Sequence, residues 1–298
     1  MRKHKILGKI FGIALVFVMI GAMLSSFPIA ANTIDASPDQ HPIVAPGDLG
    51  YSTPRNLART SDGVLHCVYS RSDGSYSQIY HSYSTDGGET WTEEQITDAP
   101  YRHSNPSIAI DSKDHIHVAW VYRHSSSRDY TTQYRVKTTS WQPIENVISG
   151  HHRSVAMAID SEDNVHLAVG GMDAGAYHCD YVRYRKRTAS GWGPTEQVSS
   201  ACWAEDPAIA IDQNNNVHVV YTHSPRYGPH YGLRYRERTA SGWQSEEVIQ
   251  TDELDWSLGS IAIDSHGNVY VVYYLGCCAD VTHRIAGPIK LSKRTSSG

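Results

Sequence analysis

The chain has 298 residues, with 26 Lys or Arg against 31 Asp or Glu, and a net charge of −5. An acidic sequence with no basic run argues against a nucleic-acid partner or an anionic membrane surface. Five Cys, at 67, 179, 202, 277 and 278, are too few and too scattered for a disulfide-built scaffold, and none has zinc-site spacing.

At the N-terminus, Arg2, Lys3, Lys5 and Lys9 lead into the apolar run "IFGIALVFVMIGAML", followed by small residues. This order predicts a secretory signal over residues 1–31, cut after Ala30 or Ala31. The alternative is an uncleaved N-terminal anchor, since the run nears the short end of a spanning helix. Both place the rest outside the cytoplasm, and no membrane insertion is expected beyond this segment. Without its four cations the net charge moves from −5 to −9. All three Phe lie in the signal, so Tyr, Trp, Val and Ile must build the core.

Residues 32–298 read as a single domain of repeats. "PSIAIDSKDHIHVAWVY" from Pro106 returns as "SVAMAIDSEDNVHLAVG" from Ser154, "PAIAIDQNNNVHVVYTH" from Pro207 and "GSIAIDSHGNVYVVYY" from Gly259. A weaker copy starts at Arg55. The anchor position is Thr60, Asp111, Asp160, Asp212 and Asp264. Each unit offers four short β-rich runs split by polar turns, with no helical periodicity. That pattern predicts an all-β propeller with five visible four-stranded repeats. The blades lie near 54–98, 105–149, 153–199, 206–251 and 259–298. The fifth lacks a fourth strand, and residues 41–46, "HPIVAP", are placed to supply it and close the ring. The alternative is a fragment of a six- or seven-bladed propeller.

Between the third and fourth runs of the first unit lies "STDGGETW". Ser84, Asp86, Gly88, Thr90 and Trp91 match Ser-x-Asp-x-Gly-x-Thr-Trp, the Asp-box. Here the chain resembles the sialidase-like, BNR-repeat propellers. Worn versions follow at Trp141, Trp192 and Trp243. The box is expected to be structural: Asp bonds its own turn, Gly takes positive φ and Trp buries its face. The resemblance implies that these turns lie opposite the substrate face.

His66, His117, His166 and His218 recur at one strand position, where the last unit has Tyr270. One per radiating strand cannot converge on an ion, so a repeated hydrogen bond is expected, with no metal and no cofactor. Asp111, Asp160, Asp212 and Asp264 are expected to open Asx-turns.

The loops at the other end differ between units, and function is expected where copies diverge. Candidate ligand-binding residues there are Arg55, His103, Arg123, His152, Arg153, Trp203, Glu205 and Trp256. Trp203 and Trp256 are the two Trp outside strands and boxes, and an indole suits a sugar ring. Candidate catalytic residues are Arg153, Asp173, Glu205, Asp206 and Asp255. Cys179 and Cys202 fall in neighbouring loops of this face and can bridge; Cys277-Cys278 can instead offer a partner.

The expected function is an exported glycan-recognising propeller, monomeric, with a carbohydrate or glycoconjugate as partner. The resemblance implies an exo-sialidase, which would hold a carboxylate with three Arg. Arg123, Arg153 and Arg284 are candidates, but Ser52 stands where the family's first Arg is expected. A polysaccharide lyase, using His152, Arg153, Tyr177 and His178, and a non-catalytic protein-binding scaffold are the alternatives.

Overall fold

The computed structural model describes residues 55–72, 74–124, 130–173, 179–224, 231–252, 256–278 and 284–295. The expected signal at 1–31, the closing strand at 41–46, Ser52, Asp255, Tyr177 and His178 lie outside them. The described residues are all-β: they form strands joined by turns, and contain no helix.

The first unit is an antiparallel meander of β1 (Leu57–Arg59), β2 (Leu65–Ser72), β3 (Ser77–Ser84) and β4 (Thr92–Gln95). The second has β5 (His103–Ile110), β6 (Ile116–Arg123), β7 (Tyr130–Lys137) and the first part of β8 (Glu145–Ile159). The rest of β8 starts the third unit, continued by β9 (Val165–Asp173), β10 (Asp180–Thr188), β11 (Gly191–Trp192) and β12 (Glu196–Gln197). The fourth has β13 (Ala204–Ile211), β14 (Val217–His223), β15 (Tyr231–Thr239), β16 (Gly242–Trp243) and β17 (Glu247–Asp252). The last has β18 (Trp256–Ile263), β19 (Val269–Cys278) and β20 (Arg284–Arg294).

Strand β8 departs from the expected loop before the third unit. It pairs with β7 through Gly150 and then with β9 as far as Ile159, so one strand serves two units. His151, His152 and Arg153 are therefore strand residues, not loop residues.

The core is a series of seams between consecutive units rather than one centre. Val68 and Ile79 meet Ile108, Val118 and Trp120; Tyr134 and Ile148 meet Val155, Met157 and Leu167. Val182 and Tyr184 meet Ile209, Val219 and Tyr221; Leu233 and Tyr235 meet Ile261, Val271 and Tyr273. Second strands such as "IHVAWV" are buried on both faces for this reason.

A repeated ion pair crosses each seam. Glu94, Glu145, Glu196 and Glu247, all at or near the start of an outer strand, meet Lys137 at 2.5 Å, Arg187 at 3.0 Å, Arg238 at 2.8 Å and Arg294 at 3.4 Å. Trp192 and Trp243 donate their indoles to Glu145 and Glu196, at 2.7 and 2.9 Å. The first-unit Trp91 instead donates to the Gly88 carbonyl of its own turn at 3.0 Å.

That turn is internally bonded. Asp86 accepts from the Ser84 hydroxyl at 2.7 Å, and from the Thr90 amide and hydroxyl at 2.9 and 2.5 Å. These donors, Thr90 first, hold its pKa well below the ordinary carboxylate range. Gly87 and Gly88 take φ of 78° and 104°. Asp86 is thus committed to its turn.

The turns between first and second strands are Asx-turns. Asp160 Oδ1 accepts from the amides of Glu162 and Asn164 at 3.0 and 2.8 Å, and Asp111, Asp212 and Asp264 behave alike. Consecutive turns also join one another: Ser61, Ser112 and Ser161 donate to Asp114, Asp163 and Asn215 of the following unit. The repeated His completes this end. His166 Nε2 lies 2.9 Å from Asp160 and its Nδ1 2.7 Å from the Tyr184 hydroxyl. His117 and His218 meet Tyr134 and Tyr235 at 2.6 Å, while His66 meets His81 at 2.9 Å.

Candidate functional site

At the opposite end, the inner strands break register. Bulges fall between Ser104 and Ser107 of β5, His152 and Ser154 of β8, and Glu205 and Ala208 of β13. A bulge suspends strict alternation and re-aims side chains. Asn105 and Asp206 take φ of 53° and 48°, a region short polar side chains tolerate.

These bulges touch in sequence around the inner strands. The Ile108 amide donates to the Arg55 carbonyl at 2.7 Å, and the Asn56 amide nitrogen to the Pro106 carbonyl at 3.0 Å. Asn105 donates its side-chain amide to the Arg153 carbonyl. A Cβ on Gly170 would lie 2.8 Å from Ser154 Oγ and 3.0 Å from the Asp206 nitrogen, so only Gly permits that approach. Arg55, Asn105, Arg153 and Asp206 thus follow one another on neighbouring units.

The carboxyls here are perturbed together. Burial, and then the Asp180 carboxyl beside it, push Glu205 up to about 8; Arg153 opposes this and Asp206 adds to it. Burial pushes Asp206 up to about 6, against the Ser154 hydroxyl and Arg153. Asp180 is buried, and its Oδ1 has no hydrogen-bond partner among the described residues. Arg153 is exposed. Arg55 is exposed as well.

A disulfide closes the same region. Cys179, before β10, bonds Cys202, before β13, with Cα atoms 5.0 Å apart. The bridge expected between these neighbouring loops forms. Trp203 follows at φ 65°, rare for a bulky residue, and its carbonyl accepts from the Ser224 amide at 2.8 Å.

The expected site residues separate into groups. Arg153, Glu205 and Asp206 come together, with Trp203 half-buried beside them. Arg55 joins through the neighbouring bulge. Arg123, half-buried at the end of β6, lies over the Tyr130 ring at 5.8 Å. His103 and His152 are 0% exposed, so neither presents its ring to solvent. Trp120 donates to His103 Nδ1 at 2.9 Å, and burial lowers the His103 pKa to about 4. Asp173 ends β9 and Trp256 begins β18. Asp180 escaped the sequence reading; its only signal there was its place beside Cys179. Among the described residues no group of His, Cys, Asp and Glu is arranged to hold a metal ion.

No family model matches the sequence, and no curated protein matches it. Solved structures do. A GH93 α-L-arabinofuranosidase of Fusarium graminearum, in complex with arabinobiose, superposes with a TM-score of 0.55 at 13% identity, over 82% of this chain and 84% of the other. An α-L-arabinanase of Penicillium chrysogenum, also with arabinobiose, gives 0.56 at 11%, over 82% and 86%. A PL25 ulvan lyase gives 0.52 at 11%, over 80% and 70%. These neighbours are β-propellers, and the likeness shows that fold for this chain.

Proposed function

We propose that the protein binds a glycan at the bulged end of its inner strands and hydrolyses a glycosidic bond there, with Glu205 as proton donor. The observation that carries this is the split between adjacent carboxyls: Glu205 is pushed up to about 8 and Asp206 only to about 6. Two carboxyls held in different protonation states are what glycoside hydrolysis needs. At neutral pH Glu205 gives its proton to the leaving oxygen. Asp206, ionised beside Arg153, stabilises positive charge at the anomeric carbon or activates water.

The fold neighbours support a glycan over other ligands, since their names record arabinobiose complexes and an ulvan lyase. Exo-sialidase specificity is the narrower version: Arg55 and Arg153 would share the substrate carboxylate, and the Ser84–Trp91 turn would be the family's Asp-box. Export, through residues 1–31, fits the disulfide.

The test is turnover of aryl arabinosides, aryl sialosides and uronate polymers. Hydrolysis that Glu205→Gln abolishes while binding persists supports the proposal. Binding without turnover on any glycan would leave a lectin. An ultraviolet-absorbing product from uronate polymers would make the protein a lyase.

A further inference from the structure

We propose that the Cys179–Cys202 disulfide is a positioning element of this site: it holds the Asp180 carboxyl against that of Glu205, so that opening the bridge changes the acid–base behaviour of Glu205. The inference deepens the reading of Glu205 as proton donor and rests on it for its catalytic consequence.

Placement is the first argument. Cys179 directly precedes Asp180, and Cys202 lies three residues before Glu205. The two carboxyls belong to β10 and β13, which share no backbone pairing. Strand β10 pairs with β9, β11 and β12, while β13 pairs with β14. The strands pack together through Val182, Tyr184, Ala204 and Ile209, and at this end the covalent bridge adds a direct tie.

The second argument is the state of Asp180. It is 4% exposed, and its Oδ1 lacks a hydrogen-bond partner among the described residues. A buried carboxyl in that position is costly unless it shares a proton. The Glu205 carboxyl beside it is the group that can do so, and the two then titrate as a pair. Such an arrangement persists only where something outside the pair imposes it.

The third argument is selectivity. The charged groups acting on Glu205 are Asp180 from β10, Arg153 from β8 and Asp206 from β13 itself. Arg153 is fixed through its carbonyl by Asn105, and Asp206 sits in the β13 bulge with its nitrogen against Gly170. Asp180 opens β10 directly after the bridged Cys179, at the terminal pair of the ladder with Met172. Reduction by a dithiol transfers two electrons and two protons, giving two thiols and the oxidised reagent. It lets this end of β10 draw away from β13, which weakens the Asp180 contact and leaves Arg153 and Asp206 acting on Glu205. The Glu205 proton then leaves at lower pH.

The experiment is a carbon-13 carboxyl titration of the free protein, which needs no glycan and so stands apart from the test of function. Three samples are compared with wild type: Cys179→Ser/Cys202→Ser, the folded wild type reduced by dithiol, and Asp180→Asn. Each is expected to lower the Glu205 midpoint by at least one pH unit, a tenfold change in its ionisation constant, with Asp180→Glu restoring it. Where substrate turnover is seen, the alkaline limb of its pH profile moves down with the midpoint. An unchanged midpoint after reduction, in protein whose near-ultraviolet dichroism is intact, overturns the role of the bridge. An unchanged midpoint in Asp180→Asn overturns the carboxyl contact. Should the double Ser variant fail to fold, the reduced wild type and Asp180→Asn decide the matter.

Discussion

The Trp192 indole donates to the Glu145 carboxylate at 2.7 Å, 47 positions upstream and on the preceding unit. Arg187 meets the same carboxylate at 3.0 Å, and Trp192 stands edge-on to Tyr134 at 5.3 Å. Trp243, Glu196, Arg238 and Tyr184 repeat this at the next seam. Removing the indole donor by Trp192→Phe is expected to cost about 1 to 2 kcal/mol in urea unfolding. A double-mutant cycle with Glu145→Ala should be strongly non-additive. The same cycle between Trp91→Phe and Glu145→Ala should be additive, because Trp91 bonds its own turn.

Buried imidazoles make the fold acid-sensitive. Burial lowers His103 and His66 to about 4. The unfolded chain takes up these protons below about 6.5, and the folded one refuses them. Their contribution is therefore complete above pH 6.5 and is lost as pH falls towards 4, on the order of 3 kcal/mol for His103. Thermal unfolding of His103→Gln between pH 7 and 4 should show a shallower decline than wild type.

Glu205 acts in the opposite sense. Its folded form keeps a proton that the unfolded chain releases above about 4.5. Stability should fall as pH rises from about 4.5 to 8. Glu205→Gln should remove that slope, so the variant gains on wild type between pH 6 and pH 9 in calorimetry.

Arg153 opposes the raised pKa of both Glu205 and Asp206. Arg153→Met should move both carboxyl midpoints upward, by roughly half a unit to one unit for a cation in such a partly open site. Carboxyl titration reads this directly. A downward movement would mean that the guanidinium does not face the pair.

Two glycines give a contrast in backbone tolerance. Gly171 has φ of +144°, and a Cβ there would come within 2.6 Å of the His152 Cα and closer still to the His151 carbonyl. Gly191 has φ of +107° with nothing within 4 Å. Gly191→Ala should cost about 1 kcal/mol, the ordinary penalty for a left-handed Ala. Gly171→Ala should cost more than about 3 kcal/mol, since strand β9 must separate from β8, and it should displace Arg153. Urea midpoints and the Asp206 titration measure the two effects.

Much of the scaffold could be read from residues alone because it recurs. Asp111, Asp160, Asp212 and Asp264 announced Asx-turns by their spacing, and the histidines that follow announced a shared hydrogen bond. The Ser84–Trp91 turn was legible because its bonds are local. What was hidden depends on neighbours in space. The gap between the second and third units, at 150–152, reads as a loop, yet Gly150 continues β8, where a Cβ would lie 2.5 Å from the Met172 carbonyl. Trp192 and Trp243 look like worn copies of Trp91, but their partners sit one unit earlier. Within the site, Arg153, Glu205 and Asp206 stood out by differing between copies. Asp180 did not, since its partner is brought beside it only by the fold and the bridge.

The seam ion pair has a consequence for how such an array can change. Each pair takes its carboxylate from one unit and its cation from the next, so no unit holds both halves of a pair. A whole internal unit gained or lost in register brings a Glu and a Lys or Arg together at every new junction. A cut made elsewhere in the period strands a carboxylate or a cation. The grammar of the seams thus favours growth and shrinkage by whole units, and leaves the bulged end free to diverge.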